Sequence, residues 1–176
     1  MLRLKEMNPE DAREEYACLQ ELAPENGVYN QFHDMPYEQF VAEGIPLCMA
    51  NARGEGLRPE HVPETWYLLW DDDRAVALFR VRHHLNDRLR VRGGHIGYAV
   101  REGERGKGYA TRGLALAAEE AWKLIPEEEI WLSCRRDNPA SLRVMLKNGA
   151  YICSQDDEEC YTRIPRQAKD NGQTID

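Results

Sequence analysis

The stretch "GERGKGYATRG", residues 103–113, sets four glycines and three basic side chains in eleven positions, and its reading decides the fold. Glycine adopts φ > 0 freely and lets ligand oxygens approach the main chain closely. Two nucleotide-binding templates fail on spacing. In the phosphate loop G-x-x-x-x-G-K-[ST], Gly103 and Gly108 match, but Tyr109 stands where the lysine belongs. The dinucleotide pattern G-x-G-x-x-G starts well at Gly106 and Gly108 and then meets Thr111 in place of its third glycine. No acidic strand-end residue follows about 20 positions on. What remains is R-G-K-G-Y-A at the junction of a strand and a helix. The first amides of that helix lack intrahelical partners and lie at the positive end of its dipole. Such a turn suits a pyrophosphate, with Arg105 and Lys107 adding charge.

The flanking residues supply the elements. "HIGYAV" before the turn reads as a strand, and Ala110, Leu114, Ala117, Ala121 and Leu124 after it trace one helical face that Pro126 stops. Upstream, "TWYLLW" and "AVALFRVR" form a hairpin about "DDDR". "LRL" near the start is a short strand, followed by a helix capped at Asn8 with Pro9 at its first position. A second short helix opens at Pro36 and ends at Gly44, and residues 45–64 read as irregular, with room for one helical turn near Cys48. Downstream, "EIWLSC" is an apolar strand. "DNPASLRVMLKNG" is a helix with Asn138 as N-cap and Gly149 just past its end. "AYICS" and "CYTRI" close the chain as a hairpin.

The protein has 176 residues, 42% of them hydrophobic, enough for one core without metals or disulfides. Five cysteines with no C-x-x-C pair suit reduced thiols in a cytoplasm. No apolar run reaches membrane-span length, and the first residues lack a signal-peptide pattern. A net charge of −8 argues against nucleic acid and anionic membranes. Nine basic against three acidic residues between Arg80 and Arg112 nevertheless give that segment +6, which suggests a small polyanionic ligand.

"HIGYAVREGERGKGYATRG" resembles the acetyl-CoA-binding core of the GNAT superfamily of N-acetyltransferases. Arg105, Gly108 and Ala110 match its [RQ]-x-x-G-x-[GA] pattern. "NPASLRVMLKNGA" is similar to the superfamily's second signature, an asparagine, a helix and a K-x-G ending. The branch containing ribosomal-protein N-terminal acetyltransferases carries a similar "E-I-G-Y" before the loop. "GGHIGY", "RHHLN" and "GEGLRPEHVPETWYLL" resemble a further set of predicted acetyltransferases. The likeness is firm over residues 45–152 and looser over the N-terminal helices. It implies a mixed α/β (α+β) fold, a mostly antiparallel twisted sheet of six to seven strands flanked by about four helices. One domain over residues 1–165 precedes a loose polar tail over 166–176.

The resemblance also implies a site. Val100, Arg105, Gly106, Lys107, Gly108, Tyr109 and Ala110 would hold acetyl-CoA, with Asn138 and Ser141 on its pantetheine arm. An amine attacking a thioester needs a base, oxyanion donors and a fate for the thiolate. The main chain of Tyr98, Ala99 and Val100 matches the family's oxyanion strand. His95 replaces the glutamate of "E-I-G-Y" and, with an ordinary pKa of about 6.5, is the base candidate. His83 and His84 are rivals that would shape the acceptor pocket, and Glu102 is a weaker one. The family's usual tyrosine is Met145 here, so Tyr98, Tyr151, Cys134 or water would serve the thiolate, or CoA leaves unprotonated.

The expected activity is acetyl transfer from acetyl-CoA to a primary amine in a ternary complex, without a metal. The acceptor is a small-molecule, peptide or protein amine; Arg88, Arg90 and Arg92 read first as solvated edge-strand charges and second as groups that would attract an acidic or carboxylate-bearing amine. Nucleic-acid and membrane partners are not expected, and the oligomeric state, a homodimer included, stays open. The alternative is a non-catalytic acyl-CoA-binding sensor of the same fold.

Overall fold

The computed structural model describes residues 1–24 and 29–166 and builds them into two antiparallel sheets. β1 (Leu2–Glu6), the hairpin β2 (Glu64–Asp71) and β3 (Arg74–Arg82), and β4 (Ile96–Val100) form the first, in that order. β5 (Glu129–Arg135), β6 (Tyr151–Gln155) and β7 (Glu159–Pro165) form the second, with β7 in the middle. The expected six to seven strands are therefore present, split between two sheets whose edge strands β4 and β5 face each other.

Both faces of the first sheet are covered, which is why β2 and β3 read as nearly continuous apolar runs. Trp66, Leu68, Trp70 and Leu78 bury against α1 (Ala12–Gln20), α3 (Ile45–Ala52) and Phe40, which follows the short α2 (Tyr37–Gln39). Tyr67, Leu69, Phe79 and Val81 face α5 (Tyr109–Leu124), in one cluster with Met145 of α6 (Pro139–Lys147) and Ile130 and Leu132 of the second sheet. A short α4 (Asp87–Val91) interrupts the connection from β3 to β4. α5 lies on β3 at glycine distance: a Cβ on Gly113 would come within 2.3 Å of Phe79 Cζ.

Three local expectations change. The first helix begins at Ala12 rather than Pro9, because Asn8 closes a side-chain turn instead of capping. Its Oδ1 accepts from the Asp11 amide at 3.0 Å, and its own amide donates to Glu15. Gly44 ends nothing. A π-turn, Phe40–Gly44, carries α2 into α3, so residues 45–52 expected to be irregular are helical. Gly44 is there for packing, since a Cβ would sit 3.0 Å from Phe40 and 3.1 Å from Phe32. The tail read from Arg166 onward lies, beyond Arg166 itself, outside the described residues.

Candidate active site

The two sheets touch at one seam. Gly94 packs so closely on Trp131 that a Cβ there would lie 2.1 Å from the Trp131 carbonyl oxygen, and its φ of +60° also calls for glycine. The His95 amide donates to that carbonyl at 2.7 Å, and the Trp131 amide donates to His95 Nδ1 at 2.9 Å. Beyond the seam β4 and β5 do not pair, and a cleft of about 2030 Å³ opens that both strands line.

The parity of the ladder decides what β4 shows to this cleft. The Arg82 amide donates to the His95 carbonyl and the Arg101 amide to the Val76 carbonyl, so Gly97, Ala99 and Arg101 point their backbone groups at β3, as His95 does with its carbonyl alone. Ile96, Tyr98 and Val100 point theirs at the opposite edge, where β4 ends its sheet. Ala99, expected among the oxyanion donors, therefore directs its N–H into the sheet, and only Tyr98 and Val100 of that trio face outward.

The glycine-rich turn closes one end of the cleft. Gly106 and Gly108 have φ of +80° and +81°, and a Cβ on either would meet nothing within 4 Å. Gly108 is the N-cap of the 16-residue α5 and supplies no side chain, which leaves the first helical amides open to a ligand. The turn is anchored from behind by Arg101, a buried side chain bonded to Ala75 O (2.9 Å), Glu14 (3.0 Å) and Glu21. Arg105 Nε donates to Val100 O at 3.3 Å, Lys107 pairs with Glu104 at 2.7 Å, and the Arg112 guanidinium stacks over Tyr109. Tyr109 is itself buried, its hydroxyl donating to Asp71.

The second wall comes from α6. Asn138 Oδ1 accepts from the Ser141 amide at 3.2 Å, the expected cap. Tyr98 Oη lies 2.8 Å from Ser141 Oγ and 3.2 Å from its carbonyl oxygen, and burial pushes the phenol well above its ordinary range. Burial also lifts the Cys134 thiol, to about 11. On the opposite wall a charged cluster sits between the strands. Glu64 bonds Arg80 at 2.7 Å, Arg82 at 3.1 Å and Trp66 Nε1 at 2.8 Å.

Comparison with known proteins places this architecture. A family profile for the acetyltransferase (GNAT) domain matches residues 2–151. The chain belongs to the GNAT acetyltransferase family. No curated protein sequence matches it. Among solved structures, the GNAT chain is similar to a ribosomal-protein-S5-alanine acetyltransferase from Vibrio fischeri, with 14% identity over 94% of this chain and 93% of that one and a TM-score of 0.65. It is also similar to the microcin C7 self-immunity acetyltransferase MccE, solved with acetyl-CoA and AMP, at 13% identity over 93% and 92% and a TM-score of 0.65. A spermidine N-acetyltransferase chimera from Vibrio cholerae and the human enzyme gives 14%, 94% and 95%, and a TM-score of 0.61. At these identities the likeness is one of fold.

In this GNAT protein the cofactor-side residues read from sequence line the cleft, Lys107 excepted, and the base candidates do not. His95 is fully buried, with Nδ1 accepting from Trp131 and Nε2 3.1 Å from Glu127. Burial, only partly opposed by Glu127, pulls its pKa down. Neither ring nitrogen has a lone pair for an amine, and we reassign His95 to holding the seam. His83 bonds Thr65 at 2.8 Å, His84 is exposed, and neither lines the cleft. Glu102 is exposed on a 3-10 turn, and Tyr151 is exposed on β6, bonded to Glu129. Met145 is core, its sulfur accepting from Thr162.

The +6 segment is largely neutralised by acids remote in sequence: Arg101 by Glu14 and Glu21, Arg90 by Glu127, and Arg92 by Glu158 and Glu159. Arg88 lines the cleft. What sequence reading missed is the Glu64–Arg80–Arg82 cluster. Its signal was two arginines two apart in an otherwise apolar strand, which period-2 alternation puts on one covered face. Among the described residues no helix is long and apolar enough to cross a membrane, and no group of His, Cys, Asp or Glu could hold a metal ion.

Proposed function

We propose that this protein is an acetyl-CoA-dependent N-acetyltransferase that acetylates a primary amine in a ternary complex. The observation that carries the reading is the unpaired edge of β4 opening into the same cleft as the uncapped N-terminus of α5. Acetyl-CoA supplies the acetyl group activated as a thioester. The residues present fit it: the amides following Gly108, with Gly106 leaving its flank open, suit a pyrophosphate. Arg105, Tyr109 and Ala110 line the cleft at that turn, with Lys107 between the two glycines and paired to Glu104, while Asn138 and Ser141 border the arm's path on α6.

The outward N–H groups of Tyr98 and Val100 are the donors for the oxyanion that forms as nitrogen adds to the carbonyl. Being fixed in the sheet, they require no reorganisation during reaction. The acceptor nitrogen must first lose a proton. With His95 sealed and Glu64 made a weak proton acceptor by its two guanidiniums, we assign that proton to water in the cleft. Burial alone would raise the Glu64 carboxyl, but Arg80 and Arg82 outweigh it and hold it below its ordinary range. The C–N bond forms as the carbonyl electrons move onto the carbonyl oxygen, and the nitrogen gives up its second proton to solvent. Collapse of the oxyanion then breaks the C–S bond, with the thiol of ordinary pKa about 8.5 leaving as thiolate. Tyr98 Oη is engaged by Ser141 and needs no part in that step.

The sealed histidine and the Met145 position also suit a non-catalytic acyl-CoA sensor, and one experiment separates the two. CoA raises the melting temperature in either case. Only the enzyme releases CoA from acetyl-CoA when an amine is added, at a rate set by the amine. No stabilisation by CoA would overturn both readings.

A further inference from the structure

The acceptor side of the cleft is unbalanced in charge. Arg80 and Arg82 are largely buried on its floor, with side-chain exposures of 14% and 16%, and they share one carboxylate, that of Glu64. Arg80 spends its donors on Glu64 and on Tyr29 O at 2.6 Å, and it lies over the Trp66 ring. Arg82 directs Nε at Glu64 and Nη1 at the carbonyls of Gly94 (3.0 Å) and Gly93 (3.4 Å). Among the described residues its Nη2 makes no hydrogen bond. That nitrogen stands beside β4 at Gly97, where a Cβ would be 3.9 Å from Nη2 and would meet nothing nearer. Gly97 lines the cleft next to Tyr98, so the absent side chain leaves a passage from Nη2 to the strand whose amides face the reaction.

A buried guanidinium short of one counter-charge is costly until an anion reaches it. Arg58 and Arg88 also line the cleft, with Glu60 beside them, and Glu158 and Glu159, which line it too, are taken by Arg92. We propose that the acceptor carries an oxyanion, a carboxylate or a phosphate, beside its amine, and that Arg82 Nη2 binds this group on the cleft floor with Arg80 behind it. This deepens the acetyltransferase reading and rests on it. A bound oxyanion completes a two-to-two charge set, whereas a polycationic acceptor brings like charge to two guanidiniums.

The test begins with wild-type protein saturated with CoA, titrated with propionate and separately with inorganic phosphate at constant ionic strength. A saturable further rise in melting temperature is expected from one of them, and its identity assigns the oxyanion. Acetyl transfer is then followed across β-alanine, γ-aminobutyrate, phosphoethanolamine, ethanolamine and putrescine. The matching anionic amine should exceed ethanolamine in kcat/KM by about tenfold or more. Arg82→Gln should collapse that ratio, and Gly97→Val, which covers Nη2 while leaving Glu64, Arg80 and Arg82 in place, should collapse it too if Arg82→Gln fails to fold. Equal or better turnover of ethanolamine or putrescine, with no anion-dependent stabilisation, overturns this inference and leaves the acetyltransferase reading standing. Failure of CoA to bind overturns that reading instead.

Discussion

Gly108→Asp tests where the pyrophosphate sits, and the structure gives each contribution separately. A Cβ at Gly108 meets nothing within 4 Å, so the side chain fits without a clash. The φ of +81° imposes left-handed strain of about 1–2 kcal/mol on a non-glycine residue. An acidic group at the positive end of α5 returns about 0.3–1 kcal/mol. The apo protein should therefore lose about 1 kcal/mol, a drop of about 2–4 °C in Tm for a chain of this size. Binding behaves differently. A carboxylate about 5 Å from a phosphate charge costs about 3 kcal/mol at an effective dielectric of ~20, or about two orders of magnitude in Kd. Gly108→Asn carries the same shape and tolerates the same backbone but has no charge. Calorimetric titration of CoA into the three proteins, with apo melting curves alongside, reads both quantities. We expect Asp to weaken CoA about 100-fold or more, Asn far less, and added salt to narrow the gap. If Asp binds CoA within about threefold of wild type, or Asn loses as much as Asp, electrostatic capture of the pyrophosphate at this helix end is wrong.

Other outcomes follow from the same geometry. Glu15 is buried with no ion pair among the described residues, and burial raises its carboxyl from 4.5 to about 8 against the opposing Asn8 amide and the more distant Lys5. The folded state thus keeps a proton that the unfolded chain releases. Stability should fall by up to about 1.4 kcal/mol per pH unit as pH rises between those values. Glu15→Gln should flatten that slope in denaturant titrations at pH 5, 6.5 and 8, and parallel slopes would refute the assignment. Gly94→Ala meets both a 2.1 Å contact with Trp131 O and a φ of +60°, and should cost about 3 kcal/mol or more, read as a lowered Tm. An unchanged melt would show that the seam yields. With water taking the acceptor's proton, log(kcat/KM) should rise with unit slope up to the pKa of the amine itself. A break near pH 6–7 that stays put when a less basic amine is substituted would restore a side-chain base.

Much of the fold was legible because its signals are local. The hairpin at 64–82, the helix after Gly108 and the Asn138 cap each depend on a few neighbouring residues whose periodicity or capping chemistry is visible in one dimension. Gly44 and Asn8 misled for the same reason. Each has a strong local meaning, and each is used for a tertiary one, close approach to Phe32 and Phe40 in the first case and a bond network with Asp11 and Glu15 in the second.

By itself the sequence determined the glycine-rich strand-to-helix turn, the second signature with its capping asparagine, and hence the family. Only the tertiary structure decided which backbone amides of β4 face the cleft, that His95 is a sealed joint to Trp131 and Glu127, and that Glu64, Arg80 and Arg82 form one cluster. The physical reason is distance along the chain. Turn and cap geometry is set by neighbours, whereas hydrogen-bond parity, burial and charge pairing depend on partners tens of residues away that only folding brings within reach.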